Sequence, residues 1–212
     1  MMIKKILRPL IPHFILERRK RQWVKTQLEA WHADGCSIPV PHVVKQLAIA
    51  YYQKKYSIST LVETGTFMGY MVEAQKKRFE TIISIELGVE LFKNAKQRFL
   101  NDKNVTIVQG DSGKVLPELL KKVTGPAIFW LDGHYSEGAT AKGNKDCPIF
   151  EELDAIFSNS NYDHILLIDD ASHFIGIGDY PTIEQLTDFI RRRNAKYKVE
   201  VNCDIIRYTI QV

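Results

Sequence analysis

The sequence predicts an α/β protein. It should have a doubly wound, seven-stranded, mostly parallel sheet, an antiparallel C-terminal hairpin and an N-terminal helical extension. Two observations carry that expectation. Five apolar runs, "STLVET", "TIISIE", "VTIVQG", "AIFWLD" and "HILLIDD", alternate with segments of helical periodicity. Runs so continuously apolar suit parallel strands covered on both faces, with a helix in each crossover. The closing stretch, "YKVEVNCDIIRYTIQV", reads as two strands joined at Asn202–Asp204, a hairpin on the sheet edge.

Each element has its own warrant. After a basic start, residues 17 to 32 have a helical pattern, and "DGCSIPVP" (34 to 41) is a loop by composition. In "HVVKQLAIAYYQKKY", Val43, Val44, Leu47, Ala48 and Tyr51 share one helical face. Helices are expected over 70–80, over "VELFKNAKQRFL" with Leu91, Ala95 and Phe99 inward, and over 112–122, 148–158 and 181–193. Residues 1–40 form a basic and apolar extension, and 41–212 form the domain. The sequence contains no internal repeat and no low-complexity tract.

Composition narrows the function. A chain of 212 residues, 45% hydrophobic and 25% charged, can bury one proper core. Its cysteines, Cys36, Cys147 and Cys203, are odd in number and far apart, with no CxxC. That spacing argues against a disulfide framework or a zinc site and fits a reducing cytoplasm. Residues 1–25 hold eight Lys or Arg against Glu17, a local charge of +7 within a net +4, so the rest of the chain carries −3. The body therefore has no electrostatic case for nucleic acid. No apolar run reaches the roughly 18 residues of a membrane span. "MMIKKILRPLIPHFIL" begins like a signal peptide, but Pro9, Pro12 and His13 interrupt it and no small-residue cleavage site follows, so we read it as retained. Its apolar residues, set beside Lys4, Lys5, Arg8 and "RRKR", suit either the surface of an anionic membrane or packing on the domain or a second subunit, as in a homo-oligomer.

In an open parallel sheet, ligands bind beyond the carboxyl ends of the strands, where strand order reverses. "LVETGTFMGY" puts Glu63, Gly65 and Gly69 at such an end. The spacing is E-x-G-x-x-x-G, without the third glycine of a pyrophosphate loop, which disfavours a dehydrogenase, and without the lysine of a P-loop. An acid at the loop's start would repel phosphate and attract an amino or sulfonium cation. The next strand ends in Glu86, whose carboxylate can accept from both hydroxyls of a ribose. The third ends in "GDS", where Asp111 can take an adenine amino group and the Ser112 backbone N–H can face a ring nitrogen. An adenosine with a positive charge and no phosphate describes S-adenosylmethionine.

From about residue 41 onward, the chain resembles a class I S-adenosylmethionine-dependent methyltransferase with its Rossmann-like fold. "ETGTFMGYMV" and "GDSGKVLPEL" are similar to the glycine loop and adenine-side segment of the catechol and caffeoyl-CoA O-methyltransferases. "LDGHY" and "LLIDDA" resemble the metal carboxylates of that group and of the macrocin-type sugar enzymes. The resemblance implies a cofactor site lined by Glu63, Gly65, Thr66, Phe67, Gly69, Glu86, Asp111, Ser112 and Asp132, and a magnesium ion on Asp132, Asp169 and Asp170. It implies methyl transfer to a hydroxyl of a small polar acceptor, a sugar, glycan or phenolic. Two departures stand out: "DGHYSEG" lacks the catechol pattern's lysine, and Asp170 stands where an asparagine is common.

Plainer readings compete. Glycines punctuate strand–helix turns in any α/β protein. "GDSGK" mimics a protease signature and part of a phosphate loop but lacks their companion motifs. An aspartate of the pair can simply cap a turn, although three converging carboxylates repel without a cation. His134 and His173 each follow an aspartate motif and could deprotonate a hydroxyl, or merely be solvated. His164, which opens a strand, reads as structural. "GHYSEGATAKGNKDCP" is either a lid gripping substrate through Tyr135, Lys142 or Lys145, or a surface insertion. Arg191–Arg193 close a helix, where cations favour the dipole. The alternative function is a non-catalytic nucleoside-binding or scaffold protein, which has no use for a carboxylate triad.

Overall fold

The computed structural model describes residues 13–133 and 146–210. The chain forms two compact units, 1–45 and 46–212. In the first, α1 (His13–Ala33) is a 21-residue helix. It ends in a turn where the Cys36 N–H donates to the Trp31 carbonyl at 2.9 Å, with Gly35 and Cys36 both left-handed. The next helix, α2 (His42–Tyr56), runs across the boundary between the units.

In the second unit the expected alternation is present. β1 (Thr60–Thr64), α3 (Tyr70–Gln75), β2 (Thr81–Glu86), α4 (Val89–Arg98) and β3 (Val105–Gln109) build one half. α5 (Ser112–Leu120), β4 (Ala127–Leu131), α6 (Ile149–Asn159), β5 (Ile165–Ile168), α7 (Ile183–Arg193), β6 (Tyr197–Asn202) and β7 (Ile205–Ile210) build the other. The seven strands lie in the order β3-β2-β1-β4-β5-β7-β6. The first five strands pair in parallel, and β7 joins antiparallel to both β5 and β6.

Strand alternation splits the core into two layers. Val62, Ile83, Ile85, Phe129 and Leu166 pack with Leu116 and Leu120 of α5, Leu153 and Ile156 of α6, and Leu186 and Ile190 of α7. On the opposite face Leu61, Ile82, Ile128, Trp130 and Leu167 meet Ile49 and Tyr52 of α2 and Met71 and Val72 of α3. Helices therefore cover both faces, which is what uniformly apolar strands require.

Most elements match expectation, with two differences. In α2 the residues expected on one apolar face are split: Val43 and Val44 are buried, but Leu47 and Tyr51 are exposed, and Ile49 and Tyr52 are buried in their place, so the apolar spacing alone set the face one step off. The helix expected over 70–80 stops at Gln75. Beyond it, the Asn104 amide donates to the carbonyls of Lys76 and Phe79, at 2.8 and 2.9 Å, and so takes up backbone acceptors that more helix would have satisfied. The hairpin turns on Cys203 and Asp204, both at positive φ, the geometry whose twist matches two antiparallel strands.

Candidate functional site at the strand ends

From β1 the chain crosses toward β2 on one side; from β4 it crosses toward β5 on the other. Open sheets of this kind bind ligands above that switch point, at the carboxyl ends. Strand register fixes what faces it: Thr64 is level with Ile85 and Leu131, Leu131 with Ile168, and Glu86 with Gln109. Glu63, Glu86, Asp111, Asp132 and Asp169 therefore reach one edge because parallel strands end together.

The glycine loop is dictated first by the protein itself. Gly65 has φ +83°, and a Cβ there would run into the backbone carbonyl of Asp132. Gly69, at φ +71°, caps α3, and its Cβ would meet the Phe99 ring at 2.7 Å. Between them Phe67 adopts φ +47°, a conformation side chains disfavour. Its N–H donates to Glu86 Oε2 at 2.7 Å, and the Gly88 N–H donates to Oε1 at 2.8 Å. Glu86 is thus a buried carboxylate oriented by two backbone donors. Each oxygen keeps a further lone pair for a ligand hydroxyl.

Glu63 and Thr66 turn inward. Ser84 on β2, level with Glu63, donates its hydroxyl to the Glu63 carboxyl, and the Thr66 and Ser84 hydroxyls are 2.6 Å apart. Burial, joined by the charges of Asp132 and Glu86, pushes the Glu63 carboxyl up to about 8. At neutral pH it is largely protonated, so the electrostatic selection expected of a charged loop acid does not operate there until the group ionises. At the start of α5, Asp111 ion-pairs with Lys114 at 2.8 Å, and the buried Ser112 hydroxyl donates to Glu152 Oε1 at 2.5 Å.

The carboxylates of Asp132, Asp169 and Asp170 each offer an oxygen, all within 4.8 Å of one another. The Asp132 N–H donates to the Thr64 carbonyl and hydroxyl, both at 3.2 Å. Asp169 is buried and accepts from the Asp170 N–H at 2.9 Å; Asp170 itself is left-handed, at φ +50°. Hard oxygen donors in this number suit Mg²⁺. His173 follows in a 3₁₀ turn, exposed, its ring edge-on to Tyr180 at 5.6 Å. His134 and the loop residues Tyr135, Lys142 and Lys145 lie outside the described residues.

Three residues that the sequence reading missed belong to this edge. Asp204, from the hairpin turn, accepts from the Ala171 and Ser172 N–H groups at 2.9 and 2.7 Å and from the Ser172 hydroxyl at 3.2 Å, so it grips the segment next to Asp170. Tyr180 packs on Phe174; burial, with Cys147, Asp170, Asp146 and Asp132 nearby, raises its phenol well above the usual range. Glu152 is buried at the start of α6. Its sequence signal was available: it stands on the same helical stripe as Ile149, Leu153 and Ile156, where an apolar residue belongs.

No protein-family model matches the chain, and no curated protein does. Solved structures do share its fold. The SAH-bound methyltransferase PaMTH1 from Podospora anserina aligns at 13% identity over 95% of this chain and 98% of its own, with a TM-score of 0.56. A putative caffeoyl-CoA O-methyltransferase from Staphylococcus aureus aligns at 13% over 92% and 97%, TM-score 0.57. The O-methyltransferase TomG from Streptomyces achromogenes, in complex with SAM, aligns at 15% over 89% of each, TM-score 0.55. The chain has the fold of these class I methyltransferases.

Proposed function

We propose that this chain, built on the class I methyltransferase fold, transfers the methyl group of S-adenosylmethionine to a hydroxyl oxygen of a small polar acceptor, a sugar or phenolic. One observation carries the reading. A ribose-competent carboxylate, Glu86, and a three-aspartate cluster stand at the same strand edge, on either side of the switch point. The neighbours crystallised with SAM or SAH support the choice of cofactor. A nucleoside-binding scaffold would account for Glu86 but gives Asp132, Asp169 and Asp170 no task, and their mutual repulsion would cost stability.

In this reading, Glu86 takes the ribose hydroxyls, Asp111 and the Ser112 N–H meet the adenine, and the Gly65–Gly69 turn lets the donor lie close to the backbone. The donor brings an activated sulfonium methyl, and the protein's task is to align it with the acceptor oxygen and exclude water. Asp132, Asp169 and Asp170 would hold a divalent cation such as Mg²⁺, which lowers the pKa of an acceptor hydroxyl. His173 or His134 takes the hydroxyl proton as the oxygen attacks.

Calorimetry tests the cofactor. Wild type should release heat with SAM or SAH, and Glu86→Ala should weaken binding by about 1.5–3 kcal/mol, the scale of charged hydrogen bonds. No heat from wild type would end the proposal. Methyl incorporation into glycan or phenolic extracts should stop with a chelator and return with Mg²⁺ or Mn²⁺. Full turnover in excess chelator would reduce the three aspartates to an electrostatic role.

A further inference from the structure

We propose that Glu152 is a positioning residue that ties the adenine side of the site to the carboxylate side, an inference that rests on the methyl-transfer reading. Its buried Oε1 lies between two segments that the reading assigns to different tasks. On one side, the Ser112 hydroxyl donates to it at 2.5 Å, which anchors the first residue of α5 beside Asp111. On the other side is Gly133, the neighbour of Asp132: a Cβ there would stand 2.8 Å from Glu152 Oε1 and 3.0 Å from Thr64 Oγ1. Thr64 Oγ1 in turn accepts from the Asp132 N–H at 3.2 Å. One carboxylate oxygen therefore stands between the β3–α5 turn and the end of β4, where α6 packs closely on α5: a Cβ on Gly113 of α5 would come within 2.8 Å of the Glu151 Cβ.

The choice of residue is the second part of the argument. Thr64, Ser112 and Glu152 are 0%, 8% and 2% exposed, so this is an interior polar knot and not a solvated rim. Glu152 occupies a core-facing position of its helix, where a leucine would pack without any desolvation cost. Local rules broken without a gain in stability are characteristic of functional sites. The carboxylate gives Ser112 a fixed acceptor and fills the space that a side chain at residue 133 would need.

Four proteins test it: wild type, Glu152→Leu, Glu152→Gln and Ser112→Ala, each titrated with SAH by calorimetry and with Mn²⁺ by electron paramagnetic resonance, and each melted. Glu152→Leu should lose about tenfold in SAH affinity and several-fold in Mn²⁺ affinity while melting no lower than wild type. Ser112→Ala cuts only one arm, so SAH affinity alone should fall. The double variant Ser112→Ala/Glu152→Leu should bind SAH no worse than Glu152→Leu, since both remove the same link. Glu152→Gln keeps an acceptor oxygen and should recover most of the SAH affinity. Wild-type SAH and Mn²⁺ affinities in Glu152→Leu, additive SAH losses in the double variant, or failure of Glu152→Gln to rescue would overturn the inference. If Glu152→Leu does not fold, the Glu152→Gln and Ser112→Ala titrations decide it by the same criteria. Absence of SAH binding by wild type is a different result and counts against the methyl-transfer reading itself.

Discussion

Glu63 puts an ionisable group where water does not reach, and its consequences can be worked out from sign alone. Burial pushes its carboxyl up to about 8 in the folded chain, against about 4.5 for a solvated glutamate. Between those values the folded state holds a proton that the unfolded chain has released, so stability falls as pH rises through that window and levels off above it. Glu63→Gln keeps an acceptor for the Ser84 hydroxyl but cannot ionise. It should match wild type near pH 5 and melt higher than wild type at pH 9, with the gap opening progressively between. A gap independent of pH would show that the Glu63 carboxyl does not carry the titration. His164 behaves oppositely. Burial lowers its ring to about 4, its Nδ1 accepts from the Ala127 N–H at 3.0 Å, and Ser160 lies 2.6 Å from Nε2, the structural role its strand-opening position suggested. Being neutral when folded, it adds stability that is lost as pH falls from about 6.5 toward 4.

At the scale of elements, legibility followed the strands. In a parallel sheet every carboxyl end faces the same way, so Glu86, Asp132 and Asp169 could be placed at one edge from strand order alone. Side chains arriving from helices and turns had no such rule. Glu152 looks like an ordinary helix acid until its stripe is drawn, and Asp204 looks like an ordinary turn residue. Asp204 yields an element-scale prediction. Its carboxylate and carbonyl hold Ala171 and Ser172, so the antiparallel hairpin, at the far end of the sequence, steadies the turn carrying Asp170. Asp204→Gly retains the left-handed backbone and removes only the carboxylate. It should cost about 1–2 kcal/mol in denaturant unfolding, the scale of one or two hydrogen bonds. It should also weaken Mn²⁺ binding while SAH affinity stays at the wild-type value. Unchanged Mn²⁺ affinity would mean that Asp170 is held without the hairpin.

For the molecule as a whole, charge is divided more sharply than its net value suggests. The +7 of residues 1–25 outweighs a body of −3. Among the described residues, no helix is long and apolar enough to cross a membrane. α1 nevertheless exposes Arg18, Arg19, Lys20, Arg21 and Lys25, together with Phe14 and Trp23 at 70% and 54%. Phe14 and Trp23 are nine residues apart, about half a turn round the helix axis, so they cannot enter one lipid surface together. That geometry argues against deep insertion and leaves attraction between cations and anionic headgroups, about 1 kcal/mol for each basic residue near the surface. Charge-driven attachment predicts a particular pattern in vesicle co-sedimentation. Full-length protein should pellet with vesicles containing phosphatidylserine or phosphatidylglycerol at low ionic strength, return to the supernatant in high salt, and ignore purely zwitterionic vesicles. Deleting residues 1–25 should abolish pelleting. If truncated and full-length protein stay equally in the supernatant, the apolar residues of the extension belong instead to packing on the domain or a second copy. A mass measurement in solution on both forms would then separate those two cases.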